Sequence, residues 1–135
     1  MFLKALEHAA KYTSVSREDI EIVKQAKNSL LFHDGKVWRK KGTSTFDNTM
    51  GSYDGAETCE CVGLFLLDQL KGCEISLGLY RDDGLGISNL TARQNDQLRK
   101  KIEAVFKENG LSITMVVNKS KVDFLDVSLD VSNKT

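Results

Sequence analysis

The chain has 135 residues, of which 41% are hydrophobic and 28% are charged, and its 19 basic and 19 acidic side chains balance to a formal charge of zero. This length suffices for a single domain, residues 1–135, with a real core, and the composition excludes a disordered chain. The balanced charge counts against a protein that binds nucleic acid through a uniformly basic surface.

The compartment is predicted from what the sequence lacks. No apolar run is long enough to cross a bilayer, and the first eight residues are too interrupted by charge for a signal peptide. The three cysteines are odd in number, and Cys59 and Cys61 do not have the spacing of a structural zinc site. We therefore expect an intracellular protein, nuclear or cytoplasmic, with buried reduced thiols and no membrane partner.

The first part of the chain predicts two helices followed by a small hairpin. Apolar residues at helical spacing begin at Leu3, and a capping box at Ser16 and Asp19 starts a second helix that is predicted to run through Leu30. Residues 33–36 predict a turn, and the basic, aromatic residues 36–42 predict one arm of a hairpin.

The later part of the chain predicts an α+β order. After a loop at residues 46–55, a helix begins at Ala56, and an apolar strand at residues 75–80 leads to two adjacent carboxylates. A second capping box at Thr91 then opens a helix that ends at Asn109 and Gly110. Residues 111–117 and 122–131 alternate between apolar and polar side chains, so each predicts a strand.

The two adjacent carboxylates, Asp82 and Asp83, are the strongest chemical signal in the sequence. Two like charges at the tip of a tight hairpin repel each other, so both stay ionised most easily when a cation joins them. Mg²⁺ is the cation that suits bare carboxylate oxygens together with phosphate oxygens. A simpler alternative is an ordinary turn, because Asp83 and Gly84 form a favoured hairpin tip.

Four stretches together resemble the palm of a reverse transcriptase encoded by a retroelement. The catalytic hairpin of that family resembles the stretch Tyr80-Arg81-Asp82-Asp83. Residues 49–57 resemble the loop-to-helix motif that lies under the nascent base pair. Residues 101–111 resemble the palm helix that follows the catalytic hairpin, and residues 124–129 resemble the start of the primer-grip hairpin.

The resemblance implies a ferredoxin-like palm, in which helices cover one face of an antiparallel sheet. It also implies RNA-directed DNA synthesis by two-metal nucleotidyl transfer, with Mg²⁺ as cofactor and with an RNA or DNA primer-template and deoxynucleotides as partners. Asp82 and Asp83 would then be the catalytic metal ligands of this chain.

The resemblance also implies roles for five substrate-binding residues. Tyr80 and Arg81 would lie near the primer end, and Lys119 would donate a proton to the leaving pyrophosphate. Gly51 and Gly55 would let the backbone approach the nucleotide and the template base, because such a close approach is possible only at a residue without a side chain.

The sequence departs from a complete palm in one important respect. The family places a third catalytic carboxylate on the first strand of the sheet, just before the helix that here begins near Phe2, and this chain does not contain that strand. We expect the fragment to be inactive alone and its sheet edge to recruit a homodimer or a protein partner. Asp54 also places a negative charge in the motif that approaches the nucleotide.

Two further hypotheses stay open beside an inactive polymerase fragment. The chain is alternatively a co-opted, non-catalytic module that binds protein or nucleic acid, or an unrelated α/β domain with a chance Asp-Asp turn. Trp38 and its basic neighbours allow stacking on nucleic acid. A merely solvated basic hairpin explains the same residues: Lys36, Arg39, Lys40 and Lys41.

Overall fold

The computed structural model describes residues 1–27, 30–39 and 53–132, and this part of the chain is α+β with four helices and three two-stranded antiparallel sheets. It divides into two compact units, Met1–Val62 and Gly63–Thr135, with the boundary inside the third helix. The elements in chain order are α1 (Phe2–Ala9), α2 (Arg17–Ala26), β1 (Leu30–His33), β2 (Lys36–Arg39), α3 (Gly55–Gln69), β3 (Ser76–Tyr80), β4 (Asp83–Ile87), α4 (Ala92–Glu108), β5 (Lys121–Phe124) and β6 (Val127–Asp130). No helix among the described residues is both long and apolar enough to cross a membrane.

The predicted cap of α2 is confirmed, but the predicted length of α2 is wrong. The backbone N–H of Asp19 donates to the Ser16 hydroxyl, and the Ser16 N–H donates to the Asp19 carboxylate, as in a capping box. The helix ends at Ala26 instead of continuing through Leu30, because Leu30 begins β1 and pairs across to Arg39.

The first hairpin, β1–β2, turns at Asp34 and Gly35, as the sequence predicts. Both residues have positive φ, 50° and 67°, which is the backbone of a type I′ turn and is favoured by an Asp-Gly pair. Every residue of both strands is exposed, so neither face of this hairpin is covered.

A buried lysine links the end of α2 to the start of α3. The Lys27 Nζ lies 2.7 Å from the Asp54 carboxylate and 5.6 Å from the centroid of the Phe2 ring. Phe2 and Ala5 of α1 are the buried apolar residues that the structure describes in this unit. The core of the first unit therefore includes a charged side chain that the sequence pattern did not single out.

In the second unit, α3 and α4 provide the core, and α4 has well-formed ends. The side chains of Thr91 and Gln94 form the predicted capping box at its start. At its end, Gly110 has a φ of 76°, and Leu111 N–H donates to the Phe106 carbonyl, as in a Schellman motif. The four buried apolar side chains of this unit are Leu66, Leu70, Ile102 and Phe106.

The strand predicted at residues 111–117 is not paired with any other strand in the described part of the chain, so this prediction is wrong as to pairing. Its side chains still alternate between half-buried and exposed, with the two-residue period of an extended chain. The backbone groups of residues 112–117 make no hydrogen bond within the described residues. The segment therefore has one partly covered face, and neither of its edges pairs with a strand among the described residues.

The single strand predicted at residues 122–131 is instead a hairpin, β5–β6. It turns at Leu125 and Asp126, and Leu125 has a φ of 54°, a conformation that bulky side chains seldom adopt. As a result, the six described strands pair only within their own hairpins, and the described pairs do not add up to one continuous sheet.

The expectation of buried thiols is wrong at all three positions. No cysteine forms a disulfide, and Cys59 is exposed, whereas Cys61 and Cys73 are only half-buried.

Candidate functional site

The candidate site is the turn between β3 and β4. Tyr80 and Asp83 face each other as the last cross-strand pair, so Arg81 and Asp82 form the two-residue turn itself. The tip is not at Asp83 and Gly84, because both residues belong to β4, where Gly84 pairs with Leu79, but an ordinary hairpin turn at Arg81 and Asp82 stays an alternative.

The turn contains the cationic side chain of Arg81, which is followed in the chain by the two carboxylates. Arg81 has a φ of 54°, which is uncommon for a residue with a side chain, and its guanidinium lies 5.5 Å from the centroid of the Tyr80 ring. Asp82 and Asp83 are both exposed, and neither forms an ion pair with any residue that the structure describes. The four side chains of the sequence motif are therefore together at one accessible tip.

The tip has carboxylate oxygens that suit Mg²⁺, but too few of them for two ions. Among residues 1–27, 30–39 and 53–132, no three His, Cys, Asp or Glu side chains lie close enough together to hold a metal ion. A single Mg²⁺ is often held by one or two carboxylates with substrate phosphates completing its shell, and Asp82 and Asp83 fit that case. Two ions about 4 Å apart require further ligands.

A shallow apolar cavity of about 470 Å³ lies beside the tip. Tyr80 lines it together with apolar residues of β3–β4, and Phe124 and Leu125 line it from the end of the last hairpin. Sequence reasoning did not include Phe124 and Leu125 among the site residues, although it did single out residues 124–129 as a resembling motif. The resemblance of residues 124–129 to a family motif was therefore the signal that could have identified these two cavity residues, whereas their residue types gave none.

Lys119 is not brought to the carboxylates by the contacts that the structure describes. The preceding residue, Asn118, accepts a hydrogen bond from the Asn95 amide, and Asn95 accepts one from the Ser88 hydroxyl. Ser88 follows the end of β4 that is remote from the turn, about 17 Å from Asp83 at 3.4 Å per residue. These bonds anchor Lys119 at the base of the hairpin, so the proton-donor role has no structural support.

The predicted nucleotide-approach glycines belong to the first unit. Gly51 lies outside the described residues, whereas Gly55 is the first residue of α3. The negative charge of Asp54 is balanced locally by Lys27, at 2.7 Å.

Comparisons of this chain with known protein families, with curated proteins and with solved structures found no match. The assignment of a family therefore depends on the residues of the turn and on the order of the neighbouring elements.

Proposed function

We propose that this chain is a fragment of a reverse transcriptase palm, whose family chemistry is two-metal nucleotidyl transfer, and that it is inactive in isolation. The observation that carries this proposal is the exposed turn between β3 and β4. Arg81 and Asp82 form the turn itself, and Tyr80 and Asp83 form the cross-strand pair that closes it.

The surroundings of the turn support the same proposal. The helix α3 precedes the β3–β4 hairpin, and α4 follows it, which is the helix–strand–strand–helix order of a ferredoxin-like fold. Residues 111–117 come next, and they alternate like a strand but pair with no strand in the part of the chain that the structure describes. In a ferredoxin-like sheet this last strand would pair with the first strand, which no described element of this chain supplies.

Within this proposal the chain's own groups have limited tasks. Asp82 and Asp83 would hold one Mg²⁺. Such an ion would supply activation of the primer hydroxyl or neutralisation of the charge on the triphosphate. Tyr80 and the apolar residues of the cavity, including Phe124, would support the end of a primer. The described residues do not provide the remaining ligands, so no complete reaction is expected from them.

A second candidate function, a co-opted interaction module, is favoured by the unpaired segment 111–117. Six consecutive residues whose backbone groups make no hydrogen bond to any described residue form an edge to which a strand from a protein partner or a second copy can add. A partner that adds such a strand should slow hydrogen exchange at residues 112–117.

The first experiment tests the carboxylates directly. Mn²⁺ with a deoxynucleoside triphosphate is added to ¹⁵N-labelled protein, and paramagnetic broadening is measured for each backbone amide. We expect broadening that is strongest at residues 80–83, and its loss in Asp82→Asn. Asp126→Asn is the matched control, because Asp126 has the same place in the β5–β6 turn as Asp82 has in its own.

A parallel primer-extension assay with Mg²⁺ or Mn²⁺ should give no product from this chain alone. Broadening that is absent from residues 80–83, or that survives Asp82→Asn, would contradict the palm proposal. Primer extension that disappears in Asp82→Asn would support the family but overturn the inactivity, because further ligands would then be present.

A further inference from the structure

Among the described residues of the first unit, the β1–β2 hairpin carries a cluster of exposed apolar side chains. Phe32, Leu31 and Trp38 are 74%, 73% and 58% exposed, and Leu30 and Val37 are also more than half exposed. Soluble proteins rarely expose large apolar side chains in such a cluster unless the cluster binds something. An isolated two-stranded hairpin is also only marginally stable, so a bound partner would help to hold it.

The register of the hairpin gives each of its two faces an aromatic ring and a cation. On one face, Trp38 pairs with Leu31, and Lys36 lies two residues before Trp38 on the same strand. On the opposite face, Phe32 pairs with Val37, and Arg39 lies two residues beyond Val37. Residues two apart in a strand point to the same side, so each ring has a positive charge beside it.

The charges favour a polyanion as the partner. Neither Lys36 nor Arg39 forms an ion pair with a residue that the structure describes, so both are available to an external anion. Asp34 is the one acidic residue in the strands and turn of this hairpin. An apolar surface of another protein would match the rings and leave the two cations unused.

We propose that the β1–β2 hairpin is a binding site for single-stranded nucleic acid that passes around it, with one base stacking on Trp38 on one face and another on Phe32 on the opposite face, while Lys36 and Arg39 contact phosphates. Stacking on aromatic side chains tolerates any base, because every base has a π-face, and cations beside the rings follow the backbone. The site lies in the first unit and needs neither Asp82 nor Asp83, so it does not depend on the proposed palm function.

Trp38 makes the proposal directly measurable, because it is the single tryptophan of the chain. Its fluorescence is followed while a twelve-nucleotide oligo(U) or oligo(dT) is added at low salt without divalent metal. We expect saturable quenching, with the logarithm of affinity falling against the logarithm of salt with a slope of about −1.4 for two phosphate contacts.

The variants separate stacking from charge. Phe32→Ser should weaken binding about tenfold, the effect of losing one stacked base. Lys36→Glu and Arg39→Glu should each weaken it and reduce the salt slope by about 0.7. Lys121→Glu is the matched control, since Lys121 is an exposed strand lysine of another hairpin, and it should bind as the original chain does. Circular dichroism of each variant verifies that the fold is retained.

Four results would overturn the proposal. The first is an absence of quenching by either oligonucleotide at low salt. The second is equal quenching by polyglutamate, which carries charge but no bases. The third is a blue shift of Trp38 emission that depends on protein concentration alone, since this would show that the hairpin associates with another copy. Loss of binding in Asp82→Asn with retention in Lys36→Glu would place the nucleic acid at the palm turn instead.

Discussion

Replacing Asp54 by asparagine removes the anionic partner of Lys27 while it preserves the size of the side chain. The Lys27 side chain is 7% exposed and Asp54 is 52% exposed, with 2.7 Å between the charged atoms. At that distance the direct attraction is about 1.5 kcal/mol in water and about 6 kcal/mol at an effective dielectric constant of 20. The lysine remains buried after the substitution, so its desolvation is no longer compensated.

We expect Asp54→Asn to lower the free energy of unfolding by about 2 kcal/mol, between the cost for exposed pairs and the cost for fully buried pairs. Urea denaturation followed by circular dichroism measures this change. The same substitution in a Lys27→Met background should cost less than about 0.5 kcal/mol, because the buried charge is then absent. Equal costs in the two backgrounds would refute the reasoning, since the effect would not come from the ion pair.

Two further predictions concern titrating groups. The pKa of Asp19 lies below its usual value because the Ser16 N–H, and then the Ser16 hydroxyl, donate to its carboxylate. Its stabilising effect should be complete above the unfolded pKa of about 4 and be lost as pH falls through the lower folded pKa. Asp19→Asn should remove this part of the acid dependence of thermal melting, whereas Glu18→Gln on the same turn should not; equal effects would contradict the cap. Burial raises the pKa of the Cys61 thiol. At pH 8 iodoacetamide should therefore modify exposed Cys59 before Cys61, as fragment mass spectrometry would show, and equal rates would contradict the assignment.

The local signals of the sequence were reliable wherever a few adjacent residues decide the conformation. Both capping boxes and the glycine end of α4 formed as predicted, because their hydrogen bonds are made within one or two turns of helix. The turn of Tyr80 to Asp83 also formed, although its exact position required the cross-strand register.

Predictions that required a distant partner were less successful. Residues 111–117 have the alternation of a strand, but alternation describes only the faces of a segment and not which edge pairs with it. The placement of Lys119 was missed because three side chains, Ser88, Asn95 and Asn118, are joined only by folding. Lys27 was missed because a lysine on an amphipathic helix is usually solvated, and its burial depends on Phe2 and Asp54.

The segment at residues 111–117 also has a consequence for solubility. Its seven residues, from Leu111 to Val117, carry no charge and no proline and are rich in β-branched side chains, which is the composition of a segment that nucleates cross-β assembly. The first charges after the segment are Lys119 and Lys121, and lysines that flank such a segment oppose stacking of identical chains. At high concentration, copies of this chain would therefore compete with any natural partner for the backbone amides of residues 112–117. Acetylation of Lys119 and Lys121 would remove their positive charges and favour the aggregate.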